Sequence, residues 1–311
     1  MSWLPTKMYT LFKVLIITLV LTSCGEERER KEGELYIVCT TGMIADGVKN
    51  IVQDRAKVDA LMGPGVDPHL YKATHGDLLM LQDADIIVYN GLFLEGKMGD
   101  IMRQMSRKKT VIAVAESLPT ELLINSTAFQ GTYDPHVWFD VSLWNKALSV
   151  LPQKISAFDS TYNEEYKQNY LAYSQQLDSL HKAVKERISL IPEERRILVT
   201  AHDAFEYFGK AYSMEVKGLQ GISTLSEYGL RDVSNLVDFI VEHNIPAIYT
   251  ETSVSKKAIE AVVEGCRGKG HKVTIGGSLY SDAMGQSGTD EGTYIGMVNA
   301  NVKQIYEGLV K

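Results

Sequence analysis

Short apolar runs rich in strand formers alternate with amphipathic stretches over most of this chain. Leu35-Tyr36-Ile37-Val38-Cys39-Thr40 is the first run, 84–91 the second and Thr110-Val111-Ile112-Ala113-Val114 the third. Helical patterns at about 43–54 and 74–83 lie between them. This βα alternation predicts a parallel sheet flanked by helices. From Gln153 to Leu190 the pattern changes, and neither Gly nor Pro occurs. Tyr166, Tyr170, Tyr173, Leu177, Leu180, Val184 and Ile188 recur at three- and four-residue steps, which predicts one apolar stripe on one long helix stopped by Pro192. The alternation then restarts, with strand patterns at Arg196–Thr200, Ala247–Thr250 and Lys272–Ile275 and helical patterns at about 203–212, 230–243, 254–268 and 291–309. The expected fold is α/β, with two lobes, 34–152 and 192–311, each a mainly parallel sheet flanked by helices. One long rigid helix, 153–191, would join them. Clefts at the ends of such sheets are the usual ligand position.

The N-terminus follows another rule. Lys7 and Lys13 precede the apolar run Val14–Leu21, which is shorter than the roughly 20 residues a spanning helix needs. A positive start, a short apolar core and a small-residue end predict a secretory signal over 1–23. That end, Leu21-Thr22-Ser23-Cys24-Gly25, resembles the bacterial lipobox, in which the cysteine is lipidated and becomes the first mature residue. Residues 24–33, almost all charged, then form a solvated tether. The expectation is a protein anchored to a membrane through Cys24, not one that spans it.

Composition narrows the class. Of 311 residues, 45% are hydrophobic and 23% charged, which is ordinary for a globular protein. The net charge of −7 becomes −9 when residues 1–23 are removed, because Lys7 and Lys13 leave and no acid does. That balance argues against nucleic-acid binding. Three cysteines are too few for a disulfide scaffold. Once Cys24 carries lipid, Cys39 and Cys266 remain and are expected as buried free thiols.

Seven histidines stand in two groups. His75, His181, His243 and His271 fall on helix patterns or in a Gly-rich turn and are expected near the surface. His69 and His136 each end an Asp-Pro-His tripeptide, and His202 follows a strand pattern. Proline fixes φ and holds the next imidazole with little freedom to lose, as a metal site needs. Asp67, Asp134 and Asp203 are placed to accept the second ring N–H of the three. A site between lobes would take a further ligand from the second lobe. Glu251 and Asp282 both follow strand patterns, and Asp282, in a Gly-rich loop, is preferred.

Five segments carry a resemblance: Gly-Val-Asp-Pro-His-Leu-Tyr at 65–71, Asp-Pro-His-Val-Trp-Phe-Asp at 134–140, Ala-His-Asp-Ala-Phe-Glu-Tyr-Phe at 201–208, Gly-Leu-Gln-Gly-Ile-Ser-Thr at 218–224 and Leu-Tyr-Ser-Asp-Ala-Met-Gly at 279–285. In these the chain resembles the zinc/manganese solute-binding lipoproteins of bacterial ABC importers. The resemblance implies two lobes on one long helix and a metal site in the cleft between them. It also implies metal ligands at His69, His136, His202 and Asp282. One Zn2+ or Mn2+ per chain would be the transported ligand. The partners would be an ABC permease and its ATPase, with the chain a monomer held outside the cytoplasm by its lipid and not an enzyme.

Three imidazoles and a carboxylate suit four-coordinate zinc. Stretch 115–133 lacks the histidines that many zinc-specific members carry there, which leans toward manganese. Zinc outcompetes manganese at nearly any N/O site, so ligand type alone leaves both open. Two other readings compete. A metal-dependent hydrolase would keep an open coordination position. A receptor for an organic chelate such as haem, a siderophore or cobalamin would need a broad cleft rather than four converging ligands. The rigid helix predicts small lobe movements, with the Asp282 loop, among Gly276, Gly277, Gly285 and Gly288, as the mobile piece.

Overall fold

Burial on both faces marks the centre of the first sheet. In the computed structural model, which describes residues 30–126, 131–226 and 228–310, strand β1 (Leu35–Cys39) has Ile37, Val38 and Cys39 wholly enclosed. The expected signal segment and Cys24 lie outside the described residues. Residues 35–311 form one unit and Met1–Glu34 another. Within the second, helix α1 (Gly42–Val52) follows β1, then β2 (Ala56–Ala60), α2 (His75–Asp83), β3 (Ile86–Tyr89), α3 (Gly99–Met105) and β4 (Thr110–Ala113). The sheet order is β2-β1-β3-β4, and every neighbouring pair is parallel.

Two short helices follow, α4 (Val141–Leu148) and α5 (Leu151–Ser156), and then the long helix α6 (Asn163–Ser189). The helix expected from 153 therefore begins ten residues later. Asp159 breaks it: its carboxylate accepts from Thr161 N and from the Tyr166 hydroxyl, which pins a turn where a continuous helix would pass. The apolar stripe is otherwise as its spacing requires, with Tyr166, Tyr173, Leu177, Leu180, Val184 and Ile188 buried and Tyr170 half-buried.

The second half holds β5 (Ile197–His202), α7 (Glu206–Tyr212), β6 (Glu215–Gln220), α8 (Leu230–Glu242), β7 (Ala247–Glu251), α9 (Lys257–Gly268), β8 (Thr274–Leu279) and α10 (Tyr294–Leu309). β5 pairs with β6 and β7 with β8, both parallel, and β5 runs beside β7. The strand expected at 272–275 thus starts and ends later, and Gly276 and Gly277 lie inside it. A Cβ on Gly276 would sit 2.7 Å from the Tyr249 ring, so this glycine permits close packing rather than loop motion.

Strands β2 and β6 escape an apolar-run criterion because each is a sheet edge with one polar face. In β2, Lys57 and Asp59 point outward and pair at 3.2 Å. In β6, Glu215 and Lys217 do the same at 3.6 Å.

One apolar cluster runs from β1 and α1 through α4 and α6 to α10, so the two halves share a core. Helix α6 packs against α1, α4 and α5 of the first half and α7 and α10 of the second. Cys39 and Cys266 are free and buried in separate clusters. No helix among the described residues is long and apolar enough to cross a membrane.

Leu177, fully buried midway along α6, tests whether that core is shared. Leu177→Ala should lower the unfolding free energy by about 2–5 kcal/mol in a single transition, measured by urea denaturation. Two separate transitions would mean that the halves fold independently.

Candidate metal centre

Four side chains from four different loops and strand ends converge. His69 sits in the loop after β2. Asp67 Oδ1 accepts from His69 N at 2.8 Å and from Leu70 N at 3.4 Å, a local turn that fixes the backbone. His136 precedes a short 3-10 turn, Val137–Phe139. Asp134 Oδ1 accepts from its backbone N at 3.0 Å and lies 2.6 Å from its ring Nδ1. The same tripeptide thus positions two histidines, but only in the second does the carboxylate reach the ring.

His202 is the last residue of β5, and β6 packs closely against this strand end. A Cβ on Gly218 would fall 2.5 Å from Asp203 N and 2.7 Å from His202 C. Only glycine lets β6 approach the strand end that carries His202. Glu251, at the end of β7, accepts from His202 N through Oε1 at 2.8 Å and lies 2.5 Å from His202 Nδ1 through Oε2.

This corrects two expectations. The carboxylate beside the His202 ring is Glu251, not Asp203, because the adjacent strands β5 and β7 bring it there. Asp67 serves the His69 backbone rather than its ring.

Asp282 lies three residues beyond β8. Its loop, expected to be mobile, is fastened on several sides. Trp138 Nε1 donates to Ser281 O at 3.0 Å, the Ser253 and Ser281 hydroxyls meet at 2.8 Å, and Asn301 bonds both backbone groups of Tyr280.

The ring Nε2 atoms all face the Asp282 carboxylate. His69 Nε2 is 3.8 Å and His202 Nε2 3.3 Å from Oδ2, and His136 Nε2 is 3.5 Å from Oδ1. His69 and His136 approach to 3.3 Å through their Nε2 atoms. One ligand atom from each of the four residues lies within 4.8 Å of the others. Metal–nitrogen bonds of about 2.0–2.1 Å in a tetrahedral site put ligand atoms roughly 3.3 Å apart, so the spacing needs only a small contraction. All four residues are buried. Neither oxygen of Asp282 nor Nε2 of His202 has a hydrogen-bond partner, and such orphaned atoms around one point are what a bare cation satisfies.

The charges are strongly coupled. Burial holds the His69 imidazole down to about 3, so it is neutral at ordinary pH. Burial would also lower His202, but Glu251 and Asp282 outweigh it and lift the ring well above its usual value. Burial would raise Asp282, but His202, His136 and His69 hold its carboxyl well below the carboxylate range.

The other histidines stand apart. His75 is exposed, His181 stacks on Tyr212, His243 stacks on Phe239, and His271 bonds Ile245 O.

The family described as zinc-uptake complex component A, periplasmic (ZnuA), matches residues 37–308. The chain belongs to that family. Among ZnuA-family relatives, the manganese-binding lipoprotein MntA of Bacillus subtilis (strain 168) is 49% identical over 299 residues, covering 95% of this chain and 97% of that protein. The zinc-binding protein TroA of Treponema pallidum (strain Nichols) is 46% identical over 287 residues, covering 92% of each. The solved structure of the periplasmic zinc-binding protein TroA from Treponema pallidum superposes with a TM-score of 0.86, over 90% of this chain and all of that one. The two-lobed α/β architecture is therefore that of the ZnuA family.

The raised His202 gives a signed pH dependence. The metal-free ring keeps its proton above the ordinary histidine value, and a cation binds the neutral ring, so binding expels that proton. Affinity should rise with pH through neutrality and level off only above the raised value. His69, already neutral, adds nothing in that range. Calorimetric titration at pH 7 in buffers of differing ionisation enthalpy should show about one proton released per ion; zero would contradict ligation by His202.

Proposed function

We propose that this chain is the extracytoplasmic substrate-binding component of an ABC importer for a divalent transition metal. It captures one Zn2+ or Mn2+ on His69, His136, His202 and Asp282 and hands the ion to a membrane permease driven by its ATPase. The observation that carries the reading is the convergence of three imidazole Nε2 atoms on a buried carboxylate that has no other partner.

Transport rather than hydrolysis follows from the closed donor set. A catalytic zinc keeps a coordination position for water, whereas these four donors enclose one point. A receptor for an organic chelate fares no better, since donors 3.3–3.8 Å apart leave room for an ion and not for a ring system. The fold supports the division into a first lobe at 34–152, a linking helix within 153–191 and a second lobe at 192–311.

Both metals suit the donors. Four-coordinate zinc takes three imidazoles and one carboxylate oxygen. Both oxygens of Asp282 face imidazoles, so manganese, which prefers more oxygen ligands, can take the carboxylate through both. The relatives named for manganese and for zinc are almost equally similar to this chain.

On the Leu-Thr-Ser-Cys segment the reading puts a lipid on Cys24, which anchors a monomeric binding domain to a bacterial cell membrane, in the periplasm or at the cell surface. Cys24→Ser should move the protein from the membrane fraction to the soluble fraction on ultracentrifugation; retention with membranes would refute the anchor.

The site is tested on the soluble mature domain, with metal analysis and competition between zinc and manganese. One equivalent of ion should be retained. His69→Ala and Asp282→Ala should each weaken binding by more than about a hundredfold, beyond the 10–100-fold lost with a supporting hydrogen-bond partner. Unchanged affinity in both variants would overturn the assignment.

A further inference from the structure

The segment Gly-Leu-Gln-Gly-Ile-Ser-Thr at 218–224 supplies no donor to the cluster, yet it reaches the other lobe beside His69. β6 ends at Gln220, whose side-chain Nε2 donates to Thr224 O at 2.7 Å and to Ser226 O at 2.6 Å. One amide thus folds residues 221–226 into a fixed turn. Within it Thr224 is only 9% exposed, and its hydroxyl donates to Asp67 Oδ2 at 2.6 Å. The other oxygen of Asp67 accepts from the backbone N of His69. A single carboxylate therefore ties a loop of the second lobe to the backbone of a candidate ligand in the first.

A largely apolar crevice adjoins the same turn. Ile222 and Leu225 of the same turn face Leu92, Phe93 and Tyr133 across a crevice of about 280 Å3, which His69 also lines and the other three candidate ligands do not. Leu92 and Phe93 both adopt the left-handed backbone region, at φ 52° and 66°, which costs free energy for residues with side chains. Phe93 is left 75% exposed. The Thr224–Asp67 bond is a polar link between lobes at this mouth, and it has a charged acceptor.

We propose that Thr224 is a positioning residue: its hydrogen bond to Asp67 is a latch across the cleft that keeps His69 on the ion, and opening of the latch sets the rate of metal release. The proposal rests on the assignment of His69 as a ligand. It requires no movement of the Asp282 loop, which is strapped down, nor of α6, which is common to both lobes. The turn at 221–226 and the loop at 63–69 part, and His69 withdraws with Asp67.

The test measures metal dissociation by stopped flow, with a chelator in excess, on zinc-loaded protein. Thr224→Val keeps the shape and removes the hydroxyl; it should speed release about tenfold, and Thr224→Ala should do the same. Thr224→Ser restores the donor and should restore the rate, with the melting temperature of the metal-free protein alike in all. In an Asp67→Ala background, where the acceptor is gone, Thr224→Val should add nothing further. Release from Thr224→Val and Thr224→Ala at the wild-type rate, or additive effects of Thr224→Val and Asp67→Ala, would overturn the latch while leaving the ligand set intact. If His69→Ala instead holds zinc as tightly as wild type, the ligand assignment fails and the latch with it.

Discussion

A buried carboxylate with no hydrogen-bond donor is among the costliest arrangements a protein can keep, and Asp282 is one. Removing an ion from water costs several kcal/mol even after relaxation, and partners must compensate for it. Here the compensation comes from the imidazoles of His202, His136 and His69, which together hold the Asp282 carboxyl low. A cluster with one carboxylate and three rings has the ligand atoms for a divalent cation. Much of the surrounding structure holds these groups close against that cost. Trp138 and Asn301 strap the Asp282 loop, Asp134 orients His136, and Glu251 orients His202.

The rest of the fold supplies stiffness. In many two-lobed proteins the lobes have separate cores and swing about a linker. Here one apolar cluster passes from the first sheet through α6 into α10, so a wide opening would break a packed core. Movement is then confined to loops at the cleft mouth. The strained pair Leu92-Phe93 and the turn at 221–226 both lie there.

The carboxylates behind the histidines show how similar residues take different tasks. Asp67 and Asp134 occupy the same place in the same tripeptide. Asp134 is fully enclosed, and one of its oxygens serves both the backbone and the ring of His136. Asp67 is half-exposed and divides its oxygens between the backbone of His69 and Thr224 of the other lobe. The first makes a rigid ligand and the second a ligand that depends on cleft closure.

Local chemistry determined a good deal from the sequence alone. The buried central strands, the stripe on α6 and the proline-set histidines were legible because each depends on residues close together in the chain. So was the candidacy of Asp282, placed in a loop after the last strand. Edge strands β2 and β6 were not, since a half-exposed strand shows no apolar run. The start of α6 was not, since two hydrogen bonds to the Asp159 carboxylate override a helical pattern. Only the tertiary structure decided that Glu251 rather than Asp203 backs His202, that Gly276 is a packing position inside a strand, and that Thr224 meets Asp67. Each of these depends on which strand ends and loops become neighbours, and residues far apart in sequence carry no local mark of that adjacency.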